Sequence, residues 1–111
     1  MKYEVRDLGD VRIIGLSGKI TIGGGDVKIR ELVDDALEDG KTNVIFDLGG
    51  VSAIDSSGIG EMVACYTTVT KRGGHLKLLH LSPKINDILQ VTQLITVFDV
   101  FDDEQEALGS F

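Results

Sequence analysis

Apolar and charged residues alternate from Tyr3 to Asp7, which predicts a half-exposed strand. Gly9-Asp10 makes a turn, and Val11-Arg12-Ile13-Ile14-Gly15-Leu16 reads as a second strand, so the two form a hairpin. Residues 19–22 fit either a strand extension or a loop. Beyond Gly23-Gly24-Gly25 the period changes: Ile29, Leu32, Val33, Ala36 and Leu37 recur at helical spacing, with Glu31, Asp34, Asp35 and Glu38 on the wet side. Asp26 is the expected N-cap of this helix and Gly40 its C-cap. A third strand spans residues 43–48, and a second helix runs from about Ser57 to Lys71, ended by Gly73-Gly74. Residues 75–81 predict a fourth strand, and Ser82-Pro83 a helix start with serine as cap and proline at the first helical position. Ile85, Ile88 and Leu89 supply that helix with an apolar stripe. Residues 97–101 predict a fifth strand, and Asp102-Asp103-Glu104 opens a last helix ending near Leu108.

Strands alternating with helices predict parallel crossovers on one sheet, and the opening hairpin adds an antiparallel edge. The expected fold is a single α/β domain over residues 1–111, a mixed and mostly parallel sheet of about five strands with about four helices. Apolar residues make up 42% of the chain and aromatics 5%, so the core is aliphatic. The net charge of −7 disfavours nucleic acid, whose phosphates need clustered Lys and Arg, and disfavours an anionic membrane surface. The N-terminal stretch has no apolar signal core, and no apolar run approaches the roughly 20 residues of a membrane span, so a cytoplasmic protein is expected.

Little of the sequence invites catalysis. Cys65, the only cysteine, falls within the apolar-striped second helix and reads as a core residue rather than a nucleophile. His75 and His80 stand five apart on one predicted strand, hence on opposite faces, and no cluster has metal-ligand spacing. The glycine run at residues 23–25 lacks both the Lys-Ser/Thr tail of a phosphate loop and a dinucleotide fingerprint, so it reads as a hinge or close-packed turn. No catalytic residue, metal or cofactor is expected.

Asp55-Ser56-Ser57-Gly58 stands apart. It lies where the third strand hands over to a helix N-terminus, whose free N–H groups and partial positive charge suit a capping serine and equally a phosphate. Capping needs one hydroxyl, worth about 1 kcal/mol; the other is then free. Ser57, nearest the helix start, is the expected cap, and Gly58 the turn.

The residues Ser17-Gly18-Lys19-Ile20, Val44-Ile45-Phe46-Asp47-Leu48, residues 51–60 around Asp-Ser-Ser-Gly, residues 72–78 and Leu81-Ser82-Pro83-Lys84-Ile85 resemble a STAS domain, as in the bacterial anti-sigma factor antagonists, over nearly the whole chain. That resemblance implies an anti-sigma factor antagonist whose unphosphorylated form binds an anti-sigma factor that is also a serine kinase, and so frees a sigma factor. It implies phosphorylation at Ser56, which ends binding, and a serine phosphatase that restores it. It also implies a partner-binding face made of Thr21, Asp55, Ser56, Ser57, Gly58, Ile59, Gly60 and Glu61. Two positions depart from the family: Thr21 and the glycine run stand where an acidic residue is common, and Glu61 adds a charge where many members have a neutral residue. Two other readings compete: a STAS adaptor or scaffold subunit of a signalling or lipid-transport complex, with no switch, and a small hydrolase or nucleotide-binding enzyme using Ser56 or Ser57.

Overall fold

The computed structural model describes residues 1–111, and its elements follow the order in which apolar periodicity changes along the chain. Strand β1 (Lys2–Leu8) pairs antiparallel with β2 (Val11–Ile20). Helix α1 (Gly25–Glu38), β3 (Asn43–Ile54), α2 (Ser56–Lys71), β4 (His75–Leu79), α3 (Pro83–Val91), β5 (Val100–Phe101) and α4 (Glu104–Leu108) complete the chain. The sheet order is β1-β2-β3-β4-β5, parallel from β2 onward. Each crossover steps one strand in the same direction, so α1, α2 and α3 all fall on one face. That face holds the main core: Ile14, Val44, Phe46 and Leu78 of the sheet meet Ile29, Val33, Met62, Val69, Ile85 and Leu89 of the helices. The opposite face is covered only by α4 and the C-terminal residues, through Ile13, Ile45, Leu79 and Ala107. Lys77, buried on that side, donates from Nζ to the Ser110 carbonyl and hydroxyl, both at 2.9 Å.

Several predicted boundaries move. β1 is exposed on both faces rather than one, because the helices touch it only through long charged side chains, Lys28 of α1 over the Tyr3 ring and Glu104 of α4 on Arg6, and no apolar helix face covers it. β2 and β3 run to Ile20 and Ile54; Gly49-Gly50 does not end β3 but forms an irregularity inside it, where Gly15 and Ser17 pair with Asp47 and Gly50. Helix α1 begins at Gly25 with Gly24 in the cap position, so Asp26 sits in the first turn instead of capping it, and Asp39 rather than Gly40 is the C-cap. The glycine run allows this early start. β4 stops at Leu79, and His80 takes a left-handed conformation (φ 58°) outside the strand, so strand parity does not govern the two histidines. β5 begins three residues later than expected. The apolar residues ahead of it serve a 3-10 turn at Leu94–Thr96 and a buried loop residue, Phe98, which packs edge-on against Tyr66 at 5.3 Å.

Candidate functional site

The registers of β2 and β3 set Ile20 beside Ile54, so the loops leaving both strands start side by side. Asp55 follows directly, and its backbone N–H donates to the Ile20 carbonyl at 3.3 Å. Its carboxylate then serves two segments. Oδ1 accepts the Gly58 N–H at 2.9 Å, capping α2, and Oδ2 accepts the Ile22 N–H at 3.0 Å, pinning the β2–α1 loop. Hydrogen bonds donated to a carboxylate favour its charged form, so the Ile22 amide first, and the Gly58 amide next, hold the Asp55 carboxyl below its ordinary value.

The cap is therefore Asp55 and not Ser57. A carboxylate offers a separate oxygen to each of two donors in different segments, whereas a hydroxyl has a single oxygen to place between them. Ser56 and Ser57 become the first two residues of α2. Ser56 is exposed and Ser57 half-buried, and the local hydrogen bonds run through Asp55 without either hydroxyl. Gly58 is not a turn residue either. It is buried in the helix, where an added Cβ would lie 2.2 Å from the Ile20 carbonyl oxygen, so the helix start can press against the end of β2 only without a side chain. The start of α1 does the same: a Cβ on Gly25 would lie 2.6 Å from the Lys19 carbonyl oxygen, so the glycine run is close-packed at Gly25, while Gly23 and Gly24 face open space.

The other predicted face residues are distributed around this junction. Thr21 is half-buried and its carbonyl accepts the Asp26 N–H at 3.2 Å. Ile59 is half-buried and Gly60 exposed. Glu61 is not a free charge: its Oε1 accepts Arg30 Nε at 2.7 Å, tying α2 to α1. Ile22 was missed by the sequence reading, although it is 73% exposed and its amide is bound by Asp55. The available signal was an apolar residue placed immediately before a glycine run.

Cys65 is buried among the core residues, and burial pushes its thiol up to about 12, so it stays protonated and unreactive at neutral pH. His80 Nδ1 lies 3.2 Å from Asp47 Oδ1, away from both serines in sequence and on the strand end rather than the helix start. No three His, Cys, Asp or Glu side chains gather closely enough to hold a metal ion, and no helix is long and apolar enough to cross a membrane.

Known proteins resemble this chain in sequence and in fold. The anti-sigma-B factor antagonist of Bacillus subtilis is 30% identical over 87 residues, 78% of this chain and 78% of its own. The fold matches the crystal structure of an anti-sigma factor antagonist from Mycobacterium paratuberculosis with a TM-score of 0.85 at 19% identity, covering 98% of this chain and 92% of that one. It matches the Bacillus cell fate determinant SpoIIAA in its phosphorylated form with a TM-score of 0.75 at 23% identity, over 97% of each chain. Residues 2–107, from the hairpin through the Asp55 junction to the last helix, match the STAS domain, and the chain belongs to that family.

Proposed function

We propose that this chain is an anti-sigma factor antagonist that works by partner switching, with Ser56 as its phosphoacceptor. In the unmodified state the face formed by Thr21, Asp55, Ser56, Ser57, Ile59, Gly60 and Glu61, with the buried Gly58 beneath it rather than on it, binds an anti-sigma factor that is also a serine kinase, and a sigma factor is released. The observation that carries the reading is the division of labour at the start of α2: Asp55 takes the capping bond, and the exposed Ser56 hydroxyl is left free for chemistry. The names of the relatives, and the phosphorylated state in which one of them was solved, support it.

The kinase transfers the γ-phosphoryl group of ATP to Ser56 Oγ, which loses its proton, and ADP leaves. The modification adds about −1.5 to −2 charges. At the first residue of α2 the helix dipole favours that charge by up to roughly 2 kcal/mol, while the ionised Asp55 next to it opposes it. The fold therefore changes little. The effect falls on the interface, where a dianion on a docked surface is costly to desolvate. A serine phosphatase resets the protein, and the cycle runs in the cytoplasm.

Incubation with the cognate kinase and ATP, followed by mass-spectrometric mapping, tests the assignment. Phosphate is expected on Ser56 and is lost in Ser56→Ala, which keeps binding the kinase. Undiminished labelling of Ser56→Ala overturns the acceptor, and full kinase binding by Ser56→Asp overturns release by charge.

A further inference from the structure

The two edges of the sheet are treated differently. β5 is two residues long, a short edge that offers little to a passing strand. β1 is seven residues long, pairs with β2 in unbroken register from Lys2↔Ser17 to Leu8↔Val11, and has no strand on its other side. It has neither proline nor bulge, and the only proline is Pro83; its one protection against foreign strands is charge, at Lys2, Glu4, Arg6 and Asp7, and that pattern is complementary to itself. Tyr3 and Val5 stand 51% and 41% exposed on the helix side, beside a cleft of about 280 Å³ floored by Leu32. Lys2, Glu4 and Arg6 line the other side.

We propose that β1 is a self-association edge: two copies of this chain pair antiparallel through Lys2–Leu8, about a two-fold axis at Val5, and join their sheets into one. The charge pattern selects this register. Side chains directly opposite in an antiparallel pair share a face, so the strand can shift only in steps of two. With Val5 on the axis, Glu4 of each copy faces Arg6 of the other, Tyr3 faces Asp7, and Lys2 faces Leu8. Shifted one way, Glu4 meets Glu4 and Lys2 meets Arg6; shifted the other way, Arg6 meets Arg6. Only the first arrangement sets opposite charges across both pairs, and like charges directly opposite destabilise a sheet. Arg6 pairs with Glu104 of α4, which packs on β4 and β5, so that contact draws the guanidinium inward over the sheet and is exchanged for Glu4 of the other copy when the edges pair. The interface uses none of the residues around Ser56, so it goes beyond the switch proposed above and does not depend on it.

Sedimentation velocity over a concentration series tests the inference. The wild-type chain is expected to dimerise reversibly, and E4R and R6E alone to weaken the dimer roughly tenfold, since each sets like charges across both pairs. Mixed in equal amounts, the two variants are expected to recover wild-type association as a heterodimer, because the mixture again places opposite charges across both pairs. E4R leaves the Arg6–Glu104 contact in place, and its melting curve reports folding separately. A wild-type chain that stays monomeric to millimolar concentration overturns the proposal and leaves the edge bare or open to a foreign strand. A wild-type dimer indifferent to both variants places the contact elsewhere. Failure of the mixture to recover refutes the register.

Discussion

Two helices in this molecule begin at a strand end with a serine, and the serines have opposite fates. At α3, Ser82 is the cap: its Oγ accepts the Ile85 N–H at 3.3 Å, and Pro83 follows as the first helical residue. At α2, Asp55 is the cap, and Ser56 occupies the place that Pro83 holds in α3. The difference lies in how many donors the junction must satisfy. Ser82 meets one amide. Asp55 meets two from separate segments, Gly58 in the helix and Ile22 in the loop before α1, and only a carboxylate has an oxygen for each. A hydroxyl moved one residue inside a cap has no structural duty. That is the physical condition under which a serine at a helix start is open to modification without cost to the fold.

The contrast is broken most severely through the backbone contact beneath Asp55. Gly58→Ala forces a Cβ to within 2.2 Å of the Ile20 carbonyl oxygen, which must move together with β2. We expect a loss of about 3 kcal/mol and a fall in Tm of about 10 °C. Gly60→Ala, two residues on in the same helix with nothing within 4 Å of its Cβ, is expected to gain about 0.5 kcal/mol through lower unfolded-state entropy. Thermal melts of the two variants separate close packing from helix propensity; equal shifts would contradict the close contact.

Asp55→Ala comes next. It removes the cap and the loop tether together, so its Tm should fall further than that of Ser82→Ala, and the Ile22 and Gly58 amides should exchange faster while Ile85 is unaffected. Acid makes the same cut without mutation. The native Asp55 carboxyl titrates below its ordinary value, so its contribution is complete above that ordinary value and disappears as pH falls through the lowered native one. Ser82 does not titrate. On acidification the amide of Gly58 should lose protection before that of Ile85, and the reverse order would remove Asp55 from the cap.

Much of this was legible in the sequence. The spacing from Ile29 to Leu37 located α1, Ser82-Pro83 located the start of α3, and the changes of period indicated a mixed sheet with helices between its parallel strands. What failed were features decided by contacts between distant residues. Gly49-Gly50 reads as a strand end, yet pairing with β2 carries β3 through it to Ile54. Glu61 reads as a free charge, yet Arg30 lies one helix away. The cap of α2 reads as a hydroxyl because local rules rank Ser and Asp alike, and the Ile22 amide that favours the carboxylate lies 33 residues back along the chain. The exposure of β1 escapes for a related reason: alternation predicts a buried face, and only the layout of the helices shows that no apolar helix face covers it.

The smallest expected effects decide the comparison most directly. Ser82→Ala leaves the Ile85 amide without its acceptor and should cost about 1 kcal/mol. Ser57→Ala removes a hydroxyl that neither caps nor bonds locally and should stay within about 0.5 kcal/mol of wild type. Urea titrations on the two variants measure the gap, with the m-value checking that the unfolded state is unchanged. Equal losses would return capping to Ser57 and show that the Asp55 carboxylate is not sufficient for the helix start. A clear gap leaves both serines of α2 without structural work, and the exposed one as the place where charge can be added to a helix that is already capped.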